Sequence, residues 1–227
     1  MLVVTGHTDA SSEVVAKGVE GLARYADAVG VLFRSVVGEA FAFSKDEVPW
    51  APYYARYPLI ARGLADYAYV LWLDADVIPL GLSHPQEVFG LATLASQPSL
   101  WIAPDLNDLV NSGVMLWHRS GLDLLSEICD RAFEGKDYLV ERKHKGAMMQ
   151  CPDQGVIKAM LTENFADMLP RTRFLPAWRI NAMPQYAYWG APIDPRYAER
   201  GDTAFLHLAG VPDVARLEIL KRFERGL

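Results

Sequence analysis

The stretch YVLWLDAD, residues Tyr69–Asp76, joins an apolar run to two carboxylates spaced i, i+2. Because the run is short and rich in β-branched and aromatic residues, it predicts a buried strand. Acidic side chains at the mouth of such a strand are costly to bury unless they are paired or bind a metal. Asp74 and Asp76 therefore indicate a bound cation, and oxygen ligands suit Mg²⁺ or Mn²⁺. The alternative is that Asp74 caps the next turn and Asp76 is a solvated loop residue.

The surrounding sequence predicts an α/β fold. Strands such as Leu2–Thr5 and Tyr69–Leu73 alternate with helical segments, which favours a central, mostly parallel mixed sheet flanked by helices. Ligands of such sheets lie beyond the carboxyl ends of the strands. We therefore expect Gly6 and Asp74 to face one crevice. Residues 1–227 are predicted to form a single domain, with a nucleotide-binding half at about 1–105 and an acceptor-side half at about 106–227.

The first predicted helix follows the first strand. Ser11 or Ser12 is expected to cap it, and its apolar face continues to about Tyr25. Gly18 and Gly21 are expected to weaken it, since glycine has a low helix propensity.

Three further local predictions concern the middle of the chain. Residues Pro85–Ala95 are expected to form one helix. Ser120 is expected to cap another helix, with Asp123 at the capping-box position. The charged residues Glu141–Gly146 are expected to form a loop.

Composition limits the classes of function. The chain has 227 residues, of which 51% are hydrophobic and 22% charged, and a net charge of −6. This acidic balance argues against a nucleic-acid partner, because phosphate contacts need a basic surface. No segment reaches the roughly 18 apolar residues of a membrane span. The start of the chain lacks a signal-peptide pattern, and Cys129 and Cys151 do not form a disulfide framework. A cytoplasmic location is therefore expected.

Four more features follow in a recognisable order along the chain. Thr5–Gly6 ends the first strand, Asn111–Gly113 begins a later one, Asp153–Gln154 opens a helix, and His207–Gly210 ends the last strand. Together with Asp74–Asp76, these motifs resemble those of GT-A fold glycosyltransferases. The resemblance is closest to the galactosyl, mannosyl and xylosyl transferases of yeast mannan and plant xyloglucan synthesis. It implies a single-domain, Rossmann-like GT-A fold.

The resemblance also implies a metal-dependent sugar transfer. The donor would be a nucleoside-diphosphate sugar, expected to be a UDP-sugar, and the acceptor a glycan or small molecule. A divalent cation neutralises the departing diphosphate. Asp74, Asp76 and His207 are the implied ligands, and an imidazole suits Mn²⁺ better than Mg²⁺. The alternative for His207 is a core histidine with no ligand role.

Further donor-site residues are expected on several elements. Glycine allows close backbone approach to a ligand, and arginines in the helix before Asp74 could bind diphosphate bidentately. Most of these positions also have a purely structural alternative. Thr5–Gly6 could be a simple turn, the two arginines could lie on a solvated helical face, and Asn111 could only form a hydrogen bond with the backbone. The expected donor residues are Thr5, Gly6, Arg56, Arg62, Asp74, Ala75, Asn111, Gly113 and Gly210.

Asp153 and Gln154 are the catalytic candidates. A carboxylate near the anomeric carbon could stabilise an oxocarbenium-like transition state. The resemblance favours retention of configuration, in which the leaving phosphate takes the acceptor proton, whereas Asp153 would be the base of an inverting enzyme. Asp153 could instead be an acid stabilised by its helix dipole. Residues Trp178–Pro184 resemble an acceptor-side segment.

The sequence departs from glycogenin-like relatives after Gly210, where it lacks their phosphate-binding lysine. Arg216 and Lys221 are the candidates to replace it. Three other functions stay open at this point. One is a phosphohydrolase of the haloacid dehalogenase type with Asp74 as nucleophile, and another is a non-catalytic module that binds nucleotide sugars. The third is a nucleotidyltransferase, although the glycine-rich phosphate loop expected near the N-terminus is absent from the sequence.

Overall fold

The computed structural model describes residues 1–7, 11–38, 51–94, 96–105, 110–134, 141–144, 147–150, 152–184 and 194–224. The strands are β1 Leu2–His7, β2 Leu32–Val37, β3 Tyr69–Leu73, β4 Val77–Pro79, β5 Leu100–Pro104, β6 Val110–His118, β7 Glu141–His144, β8 Ala147–Gln150, β9 Thr172–Phe174 and β10 Phe205–His207. The helices are α1 Glu13–Ala28, α2 Ala51–Tyr54, α3 Arg56–Asp66, α4 Pro85–Val88, α5 Leu122–Phe133, α6 Pro152–Glu163, α7 Phe165–Arg171, α8 Ala177–Ile180 and α9 Asp213–Glu224.

The central sheet has six strands in the order β2-β1-β3-β6-β5-β9. β1 pairs in parallel with both β2 and β3, and β5 pairs in parallel with β9. Within this sheet, β6 alone runs against its neighbours β3 and β5. The predicted fold class, a mostly parallel mixed sheet flanked by helices, is therefore confirmed.

The strand that contains Tyr69–Leu73 forms as predicted and is buried on both faces. Val70 and Trp72 pack into a core with α3, α5 and α6 on one face of the sheet. Leu71 and Leu73 pack into a second core with α1 on the other face. Because successive strand residues point to opposite faces, one continuous apolar run serves both cores.

A short second sheet brings the end of the chain to the end of β3. β10 pairs antiparallel with β4, so that His207 lies opposite Val77. The backbone N–H of Leu208 also donates to the carbonyl of Asp76 at 3.1 Å. This pairing places His207 next to the two carboxylates although they are far apart in sequence.

Helix α1 begins as predicted, with the Ser12 side chain accepting a hydrogen bond from the Val15 N–H at 3.4 Å. Gly18 has a packing role that the sequence did not reveal. A Cβ on Gly18 would lie 1.7 Å from the carbonyl oxygen of Ala75, whereas a Cβ on Gly21 would meet nothing within 4 Å. Gly18 therefore lets α1 approach the backbone beside the carboxylates.

Two helix predictions were wrong in detail. The segment Pro85–Ala95 does not form one helix, because Gly90 adopts a left-handed φ of 65° after α4. Ser120 does not cap α5, which begins at Leu122 without a side-chain cap. The Ser120 hydroxyl instead lies 3.0 Å from that of Ser99.

Asp123, the predicted capping-box partner, instead accepts a hydrogen bond from Arg171 at 2.7 Å. The predicted charged loop at Glu141–Gly146 was also wrong, since Glu141–His144 forms β7 and pairs with β8. Residues 145 and 146 lie outside the described ranges.

None of the helices in the described ranges combines the length and apolar character needed to cross a bilayer. Cys129 is a free thiol, and Cys151 lies outside the described residues.

Candidate metal centre

Two carboxylates and one imidazole converge beyond the carboxyl end of β3. His207 Nε2 lies 3.2 Å from Asp76 Oδ1 and 3.8 Å from Asp74 Oδ2. One potential ligand atom from each residue falls within a group whose members all lie within 4.8 Å of one another. The structure therefore brings together the three predicted ligands. Two oxygens and one nitrogen form a donor set that fits Mn²⁺ or a similar divalent cation.

The other oxygen of each carboxylate is held by a neighbouring side chain. Asp74 Oδ1 accepts a hydrogen bond from Trp72 Nε1 at 2.7 Å and lies 3.2 Å from Arg56 Nη1. Asp76 Oδ2 lies 3.4 Å from Arg216 Nη2. These contacts leave Asp74 Oδ2 and Asp76 Oδ1 directed towards His207, so each carboxylate presents one oxygen to a cation.

The second nitrogen of His207 contacts a buried amide. Its Nδ1 lies 3.1 Å from Asn181 Oδ1. An amide oxygen only accepts, so this contact assigns a proton to Nδ1 and leaves the lone pair of the neutral ring on Nε2. Asn181 is only 2% exposed. Asn181 therefore supports the ligand histidine of the metal centre, and the expectation that the segment Trp178–Pro184 lines the acceptor side stays a prediction.

Gly113 provides the space for the His207 ring. A Cβ on Gly113 would lie 2.1 Å from His207 Cε1. Asn111 holds this part of β6, because its Oδ1 accepts from the Gly113 N–H at 2.8 Å. The Gly113 carbonyl in turn accepts from the Asp74 N–H at 2.8 Å. Asn111 and Gly113 thus help to position the metal ligands Asp74 and His207. Their predicted contact with the donor sugar nucleotide stays a prediction.

The electrostatics keep Asp76 ionised. Burial alone would raise the pKa of this carboxyl, but His207 and Arg216 outweigh it and lower the pKa to about 2. Burial acts to lower the pKa of His207, whereas Asp76 and Asp74 raise it above the ordinary value. Asp76 is therefore a carboxylate at neutral pH, which is the form that binds a cation.

Arg56 is buried among acceptors. Its Nη1 donates to the Ser112 carbonyl at 2.8 Å, and its guanidinium lies 5.4 Å from the centre of the Trp72 ring. The same nitrogen lies 3.8 Å from Asp153 Oδ2 as well as close to Asp74. The buried guanidinium of Arg56 is thus compensated by two carboxylates, because a buried charge needs partners of opposite charge. Arg56 also lines the cavity beside the carboxylates, so its predicted contact with the diphosphate stays a prediction, whereas the alternative of a solvated helical face does not fit its burial.

Asp153 is buried and shares its contact with Arg56 with the metal ligand Asp74. It is 2% exposed, and its Oδ2 accepts a hydrogen bond from Ser112 Oγ at 2.6 Å. Burial raises its pKa, although Arg56 and Ser112 act in the opposite direction. The neighbouring Gln154 donates to Asp105 Oδ2 at 3.4 Å.

A cavity of 520 Å³ opens beside the carboxylates. Its described lining residues are Gly6, His7, Ser12, Val14, Val15, Tyr53, Arg56, Trp72, Asp74, Ala75, Asp76, Asp213 and Arg216. The expected meeting of Gly6 with Asp74 in one crevice is thus observed. Neither Asp153 nor Gln154 lines this cavity, so their catalytic role stays a prediction.

Other predicted donor residues lie outside that lining. Thr5 is fully buried, and its hydroxyl has no partner among the described residues. Arg62 and Gly210 are exposed. Gly210 has a φ of 74° in the turn after β10. Glycine adopts this left-handed conformation without strain, which accounts for its presence here.

Arg216 is the better of the two candidates for a phosphate-binding cation. It lines the cavity and contacts Asp76, whereas Lys221 lies 3.4 Å from Glu13. Tyr53, which the sequence did not indicate as a site residue, also lines the cavity and is 42% exposed. Its position three residues before Arg56 carries no periodic signal that would have revealed it.

No family model and no curated protein matches the chain. Solved structures do match. A glycosyltransferase involved in the glycosylation of the major capsid of PBCV-1 is 15% identical with a TM-score of 0.69, over 97% of this chain and 98% of that one. The glycosyltransferase GlyE of Streptococcus pneumoniae TIGR4 is 14% identical with a TM-score of 0.54, over 99% of this chain and 63% of GlyE.

Mouse xyloside xylosyltransferase 1 is 10% identical with a TM-score of 0.50, over 92% of this chain and 98% of that one. At these identities the comparisons establish the fold. The chain shares the fold of these glycosyltransferases. Membership of the yeast and plant transferase family stays a prediction.

Proposed function

We propose that this protein is a metal-dependent glycosyltransferase, which moves a sugar from a nucleoside-diphosphate sugar to an acceptor hydroxyl. One observation carries the proposal. Ligand atoms of Asp74, Asp76 and His207 converge beside a 520 Å³ cavity in a fold shared with glycosyltransferases. A cation held there supplies positive charge against the departing diphosphate.

The chain's own residues have distinct roles in this proposal. Gly6 and Ala75 form close backbone walls for the donor, and Tyr53 offers an aromatic face for its base. Arg216 lies at the cavity wall and near Asp76, so it is placed to bind the diphosphate. Arg56 holds the Asp74 carboxylate in position. The imidazole ligand favours Mn²⁺ over Mg²⁺.

We also propose a UDP-sugar donor and retention of configuration. The motif resemblance supports both. The position of Asp153 outside the cavity lining agrees with a route that needs no protein base, in which the leaving phosphate takes the acceptor proton. The sugar transferred is a hexose or a pentose.

Thermal unfolding with UDP, GDP and ADP, each with and without Mn²⁺, tests the donor site. A ligand at about 100 times its Kd adds about 2.7 kcal/mol, which raises Tm by roughly 5–10 °C for a domain of this size. We expect that shift only with UDP and Mn²⁺ together. A shift with another nucleotide would change the donor, and no shift with any nucleotide would contradict the proposal.

Asp76→Asn removes one ligand carboxylate and is expected to abolish the Mn²⁺-dependent shift. Asp27→Asn is the matched control, because Asp27 is exposed on α1 and away from the cavity lining. Turnover then separates the remaining alternatives. Release of sugar from UDP-sugars supports a transferase, binding without turnover indicates a non-catalytic module, and a phosphoaspartate at Asp74 would indicate a phosphohydrolase.

A further inference from the structure

A second and larger cavity, of 870 Å³, lies away from the metal ligands. It is formed by the ends of β5 and β6 together with α6, α7, β9, α8 and the segment 194–200, and it shares no described lining residue with the 520 Å³ cavity. Its volume matches that of a single small-molecule site, which typically measures about 300–1,000 Å³. A cavity of this size is expected to bind one small molecule rather than the surface of another protein.

The wall of the large cavity is mainly apolar. Phe165 and Phe174 are 59% and 42% exposed, and Leu161 and Trp178 extend the same wall. Large apolar side chains left this exposed around one cavity mark a binding surface. Phe165, Phe174 and Leu161 suit an apolar chain or ring system, because its burial against them removes apolar surface from water without breaking hydrogen bonds.

Three cations lie around this apolar wall. Lys158, Arg196 and Arg200 line the cavity, and Asp105 is the carboxylate among its described lining residues. Arg200 stacks on Trp178, with its guanidinium carbon 4.7 Å from the ring centre. Lys158 forms no ion pair with a described carboxylate. Arg196 is compensated by Asp194, 2.7 Å away, so Lys158 and Arg200 face Asp105 as the remaining charge of the described lining. In a chain with a net charge of −6, this local excess of positive charge favours an anionic group.

A short polar chain joins the large cavity to the metal centre. Asp105 in the cavity wall accepts a hydrogen bond from Gln154 at 3.4 Å. The adjacent Asp153 is bonded to Ser112 at 2.6 Å, and both Asp153 and Asp74 contact Arg56. The large cavity is therefore linked to the metal ligand Asp74 through Asp105, the adjacent residues Asp153 and Gln154, and Arg56.

We propose that the large cavity binds the non-reacting part of the acceptor, and that this part is an apolar chain or ring system that carries an anionic group. This inference rests on the proposed glycosyltransferase function and specifies its substrate class. The hydroxyl that receives the sugar belongs to the same acceptor molecule. The apolar part contacts Phe165, Phe174 and Trp178, and the anionic group contacts Lys158.

Calorimetric titration of the full chain with octyl phosphate, octyl glucoside and inorganic phosphate tests the acceptor class. The two amphiphiles are used below their micellar concentrations. We expect octyl phosphate to bind about tenfold more tightly than octyl glucoside, since a charge-assisted hydrogen bond is added. Inorganic phosphate alone is expected to show no measurable binding. Equal affinity for both amphiphiles would refute the proposal that the acceptor carries an anionic group. If neither amphiphile binds, the whole inference is refuted.

Paired variants locate the binding. Phe174→Ala and Lys158→Ala are each expected to weaken octyl phosphate binding by about tenfold. Leu32→Ala and Arg24→Ala are matched controls, because Leu32 is 56% exposed on β2 and Arg24 pairs with Glu20 on α1. Equal weakening in the controls would mean non-specific amphiphile binding and overturn the inference.

The donor titration separates this inference from the proposed function. Phe174→Ala and Lys158→Ala are expected to keep the Mn²⁺-dependent thermal shift with UDP. If wild-type protein shows that shift but binds no amphiphile, only the acceptor inference fails. If the shift is absent while octyl phosphate binds at the large cavity, the donor proposal fails, and the cavity remains a site for amphiphilic anions.

Discussion

Replacement of Asn181 by leucine is expected to weaken metal binding without touching a metal ligand. In the wild-type protein, His207 Nδ1 lies 3.1 Å from Asn181 Oδ1, which keeps the lone pair of the neutral ring on Nε2. Leucine is similar in size but accepts no hydrogen bond. The imidazole can then place its proton on Nε2 and donate it to Asp76 Oδ1, 3.2 Å away. A cation would have to displace that proton.

The expected size of the effect follows from the loss of one supporting hydrogen bond. Partners of this kind typically change metal affinity by about 10–100-fold, which corresponds to about 1.4–2.7 kcal/mol. Asn181→Asp keeps an acceptor at the same position and adds charge that favours the Nδ1 proton. It is therefore expected to retain or increase Mn²⁺ affinity.

Mn²⁺ affinity can be measured directly by electron paramagnetic resonance of the free ion, with no need for turnover. Thr203→Val is the matched control, because Thr203 is buried and its hydroxyl donates to the Trp178 carbonyl at 2.6 Å. That variant also loses a buried hydrogen bond but is expected to bind Mn²⁺ normally. Unchanged affinity in Asn181→Leu, or equal losses in Asn181→Leu and Thr203→Val, would refute the role given to Asn181.

Two further predictions rest on glycines that accept no side chain. Gly113→Ala would place a Cβ 2.1 Å from His207 Cε1, so Mn²⁺ affinity is expected to fall as far as in His207→Ala; wild-type affinity would show that the ring is free to move. Gly18→Ala would place a Cβ 1.7 Å from the Ala75 carbonyl oxygen, and overpacking of this kind costs about 1–3 kcal/mol. Gly21→Ala has open space around it and is expected to stabilise α1 by about 0.5–1 kcal/mol. Urea unfolding measures both, and equal effects at Gly18 and Gly21 would contradict the packing argument.

The sequence was sufficient to predict the elements whose signals are local. The apolar run Tyr69–Leu73 predicted its strand, and Ser12 predicted the start of α1, because strand alternation and helix capping depend on neighbouring residues. Asp74 and Asp76 were predicted from their place at the end of that strand, and the motif resemblance added His207 as the third ligand. The pairing of β4 with β10 that joins them could not be read from local periodicity.

Residues whose roles depend on distant contacts were assigned less well. Gly18 was expected only to weaken a helix, because the Ala75 carbonyl that it accommodates lies in another element. Arg56 was expected to bind diphosphate, which stays a prediction, but the sequence could not show that the Ser112 and Asp153 oxygens also surround it. Asn181 was missed as a partner of His207 for the same reason.

The charges around the metal ligands also suggest why cation and donor would bind together. Arg56 lies 3.2 Å from Asp74, and Arg216 lies 3.4 Å from Asp76, so each ligand carboxylate already faces a cationic side chain. A divalent cation that arrives alone would place more positive charge beside these arginines, and repulsion would weaken its binding. A diphosphate brings compensating negative charge and gives Arg216 a second partner. Each ligand is therefore expected to raise the affinity of the other by the same factor, which is why the thermal shift is expected to require both.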